Sequence, residues 1–528
     1  MRLTQGIHRA VQLFPNELAL ISDEGSFSWR ELAGRVARLA GALRDLGVAP
    51  GDRVAMLADN GPRYVEYYFA VLWAGGVLAP LNTRWARPEK LHCLNDSGAQ
   101  VLLVDAEHAS EAAELREGSP EISATIFADS PSAYPSAQAS AGGTELLDYE
   151  SLLRESQPIT DAERGGDDLA ALFYTGGTTG RAKGVMLSHA NFLANSMTAL
   201  VNLGISNRSV HLHVSPLFHL AGGSRVFTLT VAGGVHALMG KFDPDRFLGA
   251  IERFGVTVTV VVPTMLNTLL QHPRFDEYDL SSLELLSYGA SPMPESLLAE
   301  AMARLPDVQF LQSYGMTELS PVATMLEPEF HTFEGPSAGK IRSAGRAVFN
   351  ADVAIMDADD QPVSTGEIGE ICVRGPMVMQ GYWGQPELTA QALRGGWMHT
   401  GDAGYMDVDG FVFLVDRVKD MIITGGENVY SAAVENVLYQ HPDVHECAVI
   451  GIPSDKWGEA VHAIVVPEAG ARLDVGQLLD HCREQLAGYE CPKSVDVWDA
   501  ELPKSGVGKI LKAELRKRYW EAPPDSKF

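Results

Sequence analysis

At 528 residues the chain is too long for one domain, and 46% hydrophobic with 21% charged residues is the composition of an ordinary globular protein with sizeable cores. Its formal charge of −27, from 41 Lys and Arg against 68 Asp and Glu, sets up a field that repels nucleic acid and anionic membranes, so neither is an expected partner. An anionic substrate must therefore be drawn in by local positive groups. Cys93, Cys372, Cys447, Cys482 and Cys491 form no CxxC pair, which predicts reduced thiols, no zinc site and a cytoplasmic setting. The N-terminus lacks the apolar region of a signal peptide. An uncharged, mostly apolar run, Tyr67 to Thr83, contains Gly75, Gly76 and Pro80, and is expected to be a buried helix and then a strand, not an integral membrane segment.

In chain order, Trp29 to Leu46 places apolar residues at helical spacing, with Ser28 as N-cap and Gly47 as the stop. Val54–Leu57 and Val101–Asp105 read as buried strands, and their alternation with helices predicts a parallel α/β sheet. Asp129–Gly143, rich in Ser, Ala, Pro and Gly, is expected to be a solvated loop. Next comes Tyr174-Thr-Gly-Gly-Thr-Thr-Gly-Arg-Ala-Lys-Gly184, between the apolar runs Leu169–Phe173 and Val185–Leu187. Its glycines let several backbone N–H groups converge on an anion, its threonines add neutral donors, and Lys183 adds a mobile charge. It is not the P-loop of the common NTPases, which needs Gly-Lys-Ser/Thr opening a helix. A strand–loop–strand phosphate grip is predicted instead.

Ser188 is expected to cap a helix ending at Gly204. Val256–Val262, Leu283–Tyr288 and Val308–Gln312 read as buried strands. Ligands in open α/β sheets lie beyond the carboxyl ends of strands, which puts Gly289-Ala-Ser291 and Ser313–Glu318 where a ligand is expected. From about residue 350 short strands and glycine turns predict a small β subdomain. After Asp416, strand–helix alternation resumes for roughly 110 residues, enough for a separate small α/β domain.

The glycine-rich loop resembles the phosphate loop of the adenylate-forming superfamily: acyl-CoA synthetases, peptide-synthetase adenylation domains and beetle luciferases. Further motifs follow in the family's order: Pro216-Leu-Phe-His-Leu-Ala-Gly222, Tyr314-Gly-Met-Thr-Glu318, Thr400-Gly-Asp402, Asp416-Arg-Val-Lys-Asp-Met421, Gly425-Gly-Glu-Asn428 and Pro503-Lys-Ser-Gly-Val-Gly-Lys-Ile510. The resemblance covers nearly the whole chain and is strongest to the acyl-CoA synthetases. It implies an α/β fold with a large N-terminal domain of two parallel-type sheets flanked by helices and a small β subdomain (1–415). A hinge (416–420) and a small mobile C-terminal α/β domain (421–528) would follow.

The reaction implied is ATP-dependent ligation of a fatty or aryl carboxylic acid to CoA through an acyl-adenylate, with Mg²⁺. Thr175, Gly176, Gly177, Thr178, Thr179, Gly180 and Lys183 would grip the β- and γ-phosphates. Glu318 would bind Mg²⁺ and Thr317 would donate to the α-phosphate. Gly289, Ala290, Ser291, Gln312, Tyr314, Gly315 and Met316 would frame the adenine and the neighbouring acyl pocket. Asp402 and Arg417 would hold the ribose. Lys509 would bridge the carboxylate and the α-phosphate, and Lys419 would be the hinge. Gly425, Gly426 and Glu427 would face the site after rotation, to shape the pantetheine tunnel.

His219 is expected to gate the acyl pocket or to form a polar wall of it. Arg225 is expected on an exposed helix face; if it faces the pocket instead, it could pair with a second substrate carboxylate. Two departures from the family's loop, Gly176 for Ser and Ala182 for Pro, predict a softer loop. With the sequence ending at Phe528 and no carrier domain after Lys509, free CoA is the expected acceptor. A stand-alone enzyme loading a separate carrier protein and a catalytically dead nucleotide-binding regulator stay open as alternatives, as does a homodimer.

Overall fold

The computed structural model describes residues 1–140, 145–176, 181–291, 293–417, 420–425, 427–454, 456–468, 470–504 and 510–520. The chain divides into two compact units, residues 1–353 with 373–398, and residues 354–372 with 399 onward. Each is built on two sheets.

The first unit carries a nine-stranded and an eight-stranded sheet. In the nine-stranded sheet, strands Val235–Leu238, Val210–His213, Val258–Val261, Leu285–Gly289 and Gln309–Gly315 lie side by side and parallel. Helices such as Pro244–Phe254 and Glu295–Arg304 bury Phe247, Leu248, Ile251, Leu298 and Ala301 in a core with Leu212, Val261, Leu286 and Phe310. That is the covering a parallel sheet requires, because its strands are apolar on both faces.

The eight-stranded sheet runs parallel through Val77–Pro80, Arg53–Leu57, Ala99–Val104 and Ala124–Phe127. Its other side continues into the antiparallel pair Leu169–Thr175 and Lys183–Ser188, with the two-residue strand Gly381–Tyr382 at the edge. Helix Pro62–Trp73 is buried all round, so the apolar run from Tyr67 is core. Its one carboxylate, Glu66, is matched by Arg35, with Nε 2.6 Å from Oε1, and by the Tyr149 hydroxyl. Among the described residues no helix is long and apolar enough to cross a membrane.

The predicted caps form. Ser28 Oγ accepts from the Glu31 N–H while the Glu31 carboxylate accepts from the Ser28 N–H, closing a capping box at helix Trp29–Asp45. Ser188 and Asn191 do the same for helix His189–Asn202. The expectation of a solvated loop over 129–143 is corrected: Tyr134–Ser140 is a helix. Ala137 is buried against the 124–127 strand's core, and the Tyr134 hydroxyl donates to the Leu146 carbonyl at 2.7 Å. These two contacts outweigh a composition typical of loops.

The second unit has a four-stranded sheet in the order Asp352–Met356, Gly369–Arg374, Met398–Met406, Val412–Arg417. It also has a sheet around the long antiparallel pair Val444–Ser454 and Gly458–Pro467. Alternate residues of that pair point to opposite cores: Cys447, Val449, Val461, Ala463 and Val465 to one, Ala448, Ile450, Ile464 and Val466 to the other. All five cysteines are buried and none forms a disulfide. The two parts together give the α/β class with a large N-terminal and a small C-terminal portion that the sequence predicts.

Candidate active site

In the first unit the strands Leu285–Gly289 and Gln309–Gly315 end together, with Gly289 opposite Ser313. A Cβ on Gly289 would lie 2.3 Å from the Ser313 carbonyl oxygen, and one on Gly315 only 1.8 Å from that of Pro321. Both positions must be glycine for the backbones to close. Past the first strand, Ala290 takes the left-handed conformation, φ +67°, and is exposed beside the half-buried Ser291. Past the second, Met316 caps a short 3-10 turn, Thr317–Leu319, that buries Thr317 and Glu318. Gln312 and Met316 are half-buried and Tyr314 is buried. The sheet thus gathers Gly289, Ala290, Ser291, Gln312, Tyr314, Gly315, Met316, Thr317 and Glu318 at one edge.

Glu318 is held from two sides. Its Oε1 accepts from the Tyr382 hydroxyl at 2.8 Å, and its carbonyl accepts from the Met379 N–H. Tyr382 lies in the two-residue strand Gly381–Tyr382, which pairs with the exit strand of the glycine-rich loop, Tyr382 opposite Val185. Lys183 Nζ lies 5.3 Å from the centre of the Tyr382 ring. Burial, and then the charge of Glu318, push the Tyr382 phenol well above its ordinary range, so it remains a donor. Tyr382 therefore joins Glu318 to the base of the loop, a link sequence reasoning missed. The available signal was Gly381-Tyr-Trp383, an aromatic pair closing an apolar stretch.

The loop itself is strand–loop–strand as predicted, with Thr175 opposite Lys183 in the ladder and Gly176 exposed. Gly177, Thr178, Thr179 and Gly180 lie outside the described residues. Ala182, one of the two departures expected to soften the loop, is buried, and its carbonyl is bonded by His92 Nε2 at 2.9 Å. His219 caps helix Leu220–Ala232. Burial, and next the Arg84 guanidinium, press its imidazole down to about 4, so it is neutral at pH 7. The expectation of an exposed Arg225 is corrected: on the same helix it is 4% exposed.

In the second unit, register sets Asp402 opposite Arg417 on neighbouring antiparallel strands. Asp402 is buried, and its turn is fixed by Thr400, whose hydroxyl donates to the Ile371 carbonyl and accepts from the Asp402 N–H. Glu370, Cys372 and His399 bring their donor atoms within 4.8 Å of one another beneath this turn. His399 Nδ1 is 2.8 Å from Glu370 Oε2 and 3.3 Å from Cys372 Sγ, and Glu370 Oε1 accepts from the Gly401 N–H.

Gly425 has φ +61°, and Glu427 is exposed on a three-residue strand. Gly426, Lys419 and Lys509 lie outside the described residues. The frame around Lys509 is described: Lys504 bridges to Ile510, and Lys504 Nζ pairs with Glu446 at 3.0 Å. Behind it, Lys512 Nζ lies 2.7 Å from Glu435 and donates to Ser431 Oγ, which donates to Asp416. Burial works against that ammonium, but Glu435, Asp416 and Asp420 outweigh it and hold its pKa above the usual range.

The arrangement is suited to holding anions. A lysine, a buried carboxylate and clustered backbone turns meet at the carboxyl edge of a parallel sheet. The AMP-binding enzyme family model matches residues 7–383, and the model of that family's C-terminal domain matches 433–509. The chain is 43% identical over 512 residues to a feruloyl-CoA synthase of Amycolatopsis sp, covering 97% of this chain and 98% of that one. It is 36% identical over 519 residues to an indoleacetate–CoA ligase of Aromatoleum aromaticum, covering 98% of each. Among solved structures, the o-succinylbenzoate CoA synthetase of Bacillus subtilis, in complex with its acyl-adenylate intermediate, superposes with a TM-score of 0.84 at 32% identity over 97% of both chains.

Proposed function

The chain belongs to the AMP-binding enzyme family, and from that premise we propose how its residues run an ATP-dependent acid–CoA ligation on an aryl or fatty acid. It is an AMP-forming acyl-CoA synthetase. The acid's carboxylate attacks the α-phosphorus of ATP and expels pyrophosphate, leaving an acyl-adenylate. The CoA thiolate then attacks the acyl carbonyl and expels AMP. An aromatic acid is the preferred class, because both curated relatives described above are named for aryl substrates.

The first step brings two anions together, so its barrier is set by how well charge is neutralised as it shifts to the departing pyrophosphate. The observation that supports the assignment is the junction of Lys183, Tyr382 and Glu318 at the base of the glycine-rich loop. Lys183 offers a charge to the β- and γ-phosphates, together with Thr175, Gly176, Gly177, Thr178, Thr179 and Gly180. Glu318 offers a carboxylate whose orientation Tyr382 fixes. A single carboxylate beside triphosphate oxygens is the donor set Mg²⁺ takes, keeping its remaining waters, so Glu318 would hold that ion. When bound, the ion would neutralise phosphate charge. Thr317 donates to the α-phosphate. Gly289, Ala290, Ser291 and Tyr314 frame the adenine, and Asp402 with Arg417 binds the ribose hydroxyls.

Lys509 bridges the carboxylate and the α-phosphate during adenylation. For the second step the segment after the 416–420 hinge turns about Lys419, and Gly425, Gly426 and Glu427 replace it beside the adenylate. His219, neutral, walls the acyl pocket. The test is pyrophosphate–ATP exchange across acids from acetate to palmitate, with benzoate, cinnamate and ferulate. AMP release is then compared with CoA and with a phosphopantetheinylated carrier protein as acceptor. Exchange with aryl acids and AMP release with CoA are expected. Nucleotide binding with no exchange on any acid would make the chain a regulator, and release with the carrier alone would make it a carrier-loading enzyme.

A further inference from the structure

Arg225 is the most anomalous charge in the first unit. It sits in the second turn of helix Leu220–Ala232, 4% exposed. Its Nε and Nη1 are buried with no hydrogen-bond partner, and among the described residues no carboxylate pairs with it. An isolated buried charge costs several kcal/mol unless something compensates it, and a guanidinium does not escape by losing its proton. Burial lowers its pKa only to about 10, so it stays charged at pH 7.

The helix cannot swing out to hydrate it. A Cβ on Gly222 would meet the Ser215 and Pro216 carbonyls at 2.7 and 2.6 Å, and one on Gly223 the Tyr68 hydroxyl at 2.3 Å, so the first turn is clamped on its neighbours. Arg225 lines a narrow recess with about 160 Å³ of atom-free space, together with His211, His213, Ser215 and Val260. The recess has no room for a separate water in this arrangement, so a ligand must widen it to enter.

The walls of the recess add further unused polar atoms. His211 Nδ1 and His213 Nδ1 are buried without partners. The other face of His213 is anchored: its Nε2 is 3.0 Å from His236 Nδ1, and His236 Nε2 is 3.0 Å from the Thr230 hydroxyl. Both His211 and His213 are kept neutral, by burial first and then by nearby charge and one another. Among the described residues that line the recess, the one full charge is thus positive, flanked by two imidazole edges.

We propose that Arg225, with His211 and His213, forms a subsite for a second carboxylate carried by the acid substrate, at the end of the molecule remote from the carboxylate that is adenylated. This deepens the ligase reading and rests on it. The recess lies at the carboxyl ends of strands Val210–His213 and Val258–Val261. Strand Gln309–Gly315, which leads to Thr317 and Glu318, is three places away from Val210–His213 in the same sheet. At about 4.8 Å per strand the strand axes lie roughly 14 Å apart, and once the side chains reach in from each end the remaining span suits a long dicarboxylic acid such as a ring-carboxylated cinnamate better than malonate or succinate.

The experiment compares 4-carboxycinnamate with 4-methylcinnamate in pyrophosphate–ATP exchange and in thermal-shift titration, in the full chain and in Arg225→Met. The expected result is a kcat/KM preference for the dicarboxylate that collapses roughly ten- to hundredfold in the variant, mostly through KM. A Tm rise with 4-carboxycinnamate in the wild type, lost in Arg225→Met, is expected as well. A merely structural role would lower both acids' kcat/KM equally and lower the Tm of the ligand-free variant. That result, or the absence of any dicarboxylate preference in either measurement, overturns the subsite. The titration reads binding even without turnover, so failure of exchange on every acid overturns the ligase reading alone.

Discussion

The Tyr382 hydroxyl and the Glu318 carboxylate share one buried hydrogen bond, and it fixes where the carboxylate points. Tyr382→Phe removes only that donor. Hydrogen bonds to charged groups contribute about 1.5–3 kcal/mol, so acyl-adenylate formation is expected to fall roughly ten- to hundredfold, read by pyrophosphate exchange. Thermal stability should change little, because the ring is kept. Unaltered exchange in Tyr382→Phe would remove Tyr382 from the site. Lys509→Ala is expected to slow adenylation by at least about a hundredfold, the scale for losing one preorganised charge-stabilising donor. Thioester formation from supplied acyl-adenylate should be affected much less, and equal losses in both half-reactions would rule out the exchange of lysine for the 425–427 turn. At this scale the place of Lys183 at the exit of the glycine-rich loop and of Glu318 just past a strand end was legible in the sequence. Tyr382 and the burial of Arg225 were not, because each depends on a neighbour hundreds of positions away or on which face a helix turns inward.

Elements form where local chemistry leaves one choice. Ser28 and Glu31 satisfy each other's backbone N–H groups at the start of helix Trp29–Asp45, and that cap was readable from four residues. Ser28→Ala is expected to cost about 1 kcal/mol, measured as a lower urea midpoint with an unchanged slope. Helix Tyr134–Ser140 was not readable. Its composition is that of a loop, and only Ala137 in the core and the Tyr134–Leu146 and Gln138–Leu146 hydrogen bonds make helix the lower state. Near the other end of the chain, helix Lys512–Trp520 is fastened by Lys512 to Glu435 and Ser431 and by Arg516 to Asp420. These bonds fix the downstream end of the segment that carries Lys509 at a place no spacing rule indicates.

For the molecule as a whole, buried imidazoles set the acid limit of stability. Burial presses His189, His219 and His331 to about 4, and His211 and His236 to about 3, against 6.5 when unperturbed. Above pH 6.5 these residues are neutral in both states and nothing is lost. Between 6.5 and about 4 the unfolded chain binds protons that the fold refuses, so stability falls as pH falls. Burial lowers His213 and His462 too, and His108, whose pKa Asp105 raises despite burial, acts the opposite way as one group against seven. Urea unfolding of the wild type should therefore show a falling midpoint from pH 7 to pH 5, before most carboxylates titrate. A flat midpoint over that range would contradict neutral burial of these rings.

By itself the sequence determined the fold class, the strand–loop–strand form of the glycine-rich segment and the family, because glycine conformations, hydroxyl runs and apolar periodicity act within a few residues of the backbone. Only the tertiary structure decided what those segments meet. The strand Gly381–Tyr382 pairing beside Lys183, the glycines at 289 and 315 permitting backbone closure, and the orphaned guanidinium of Arg225 are long-range outcomes of packing. Burial and pairing are properties of the folded interior, so the charges that bear on substrate choice become visible only once that interior exists.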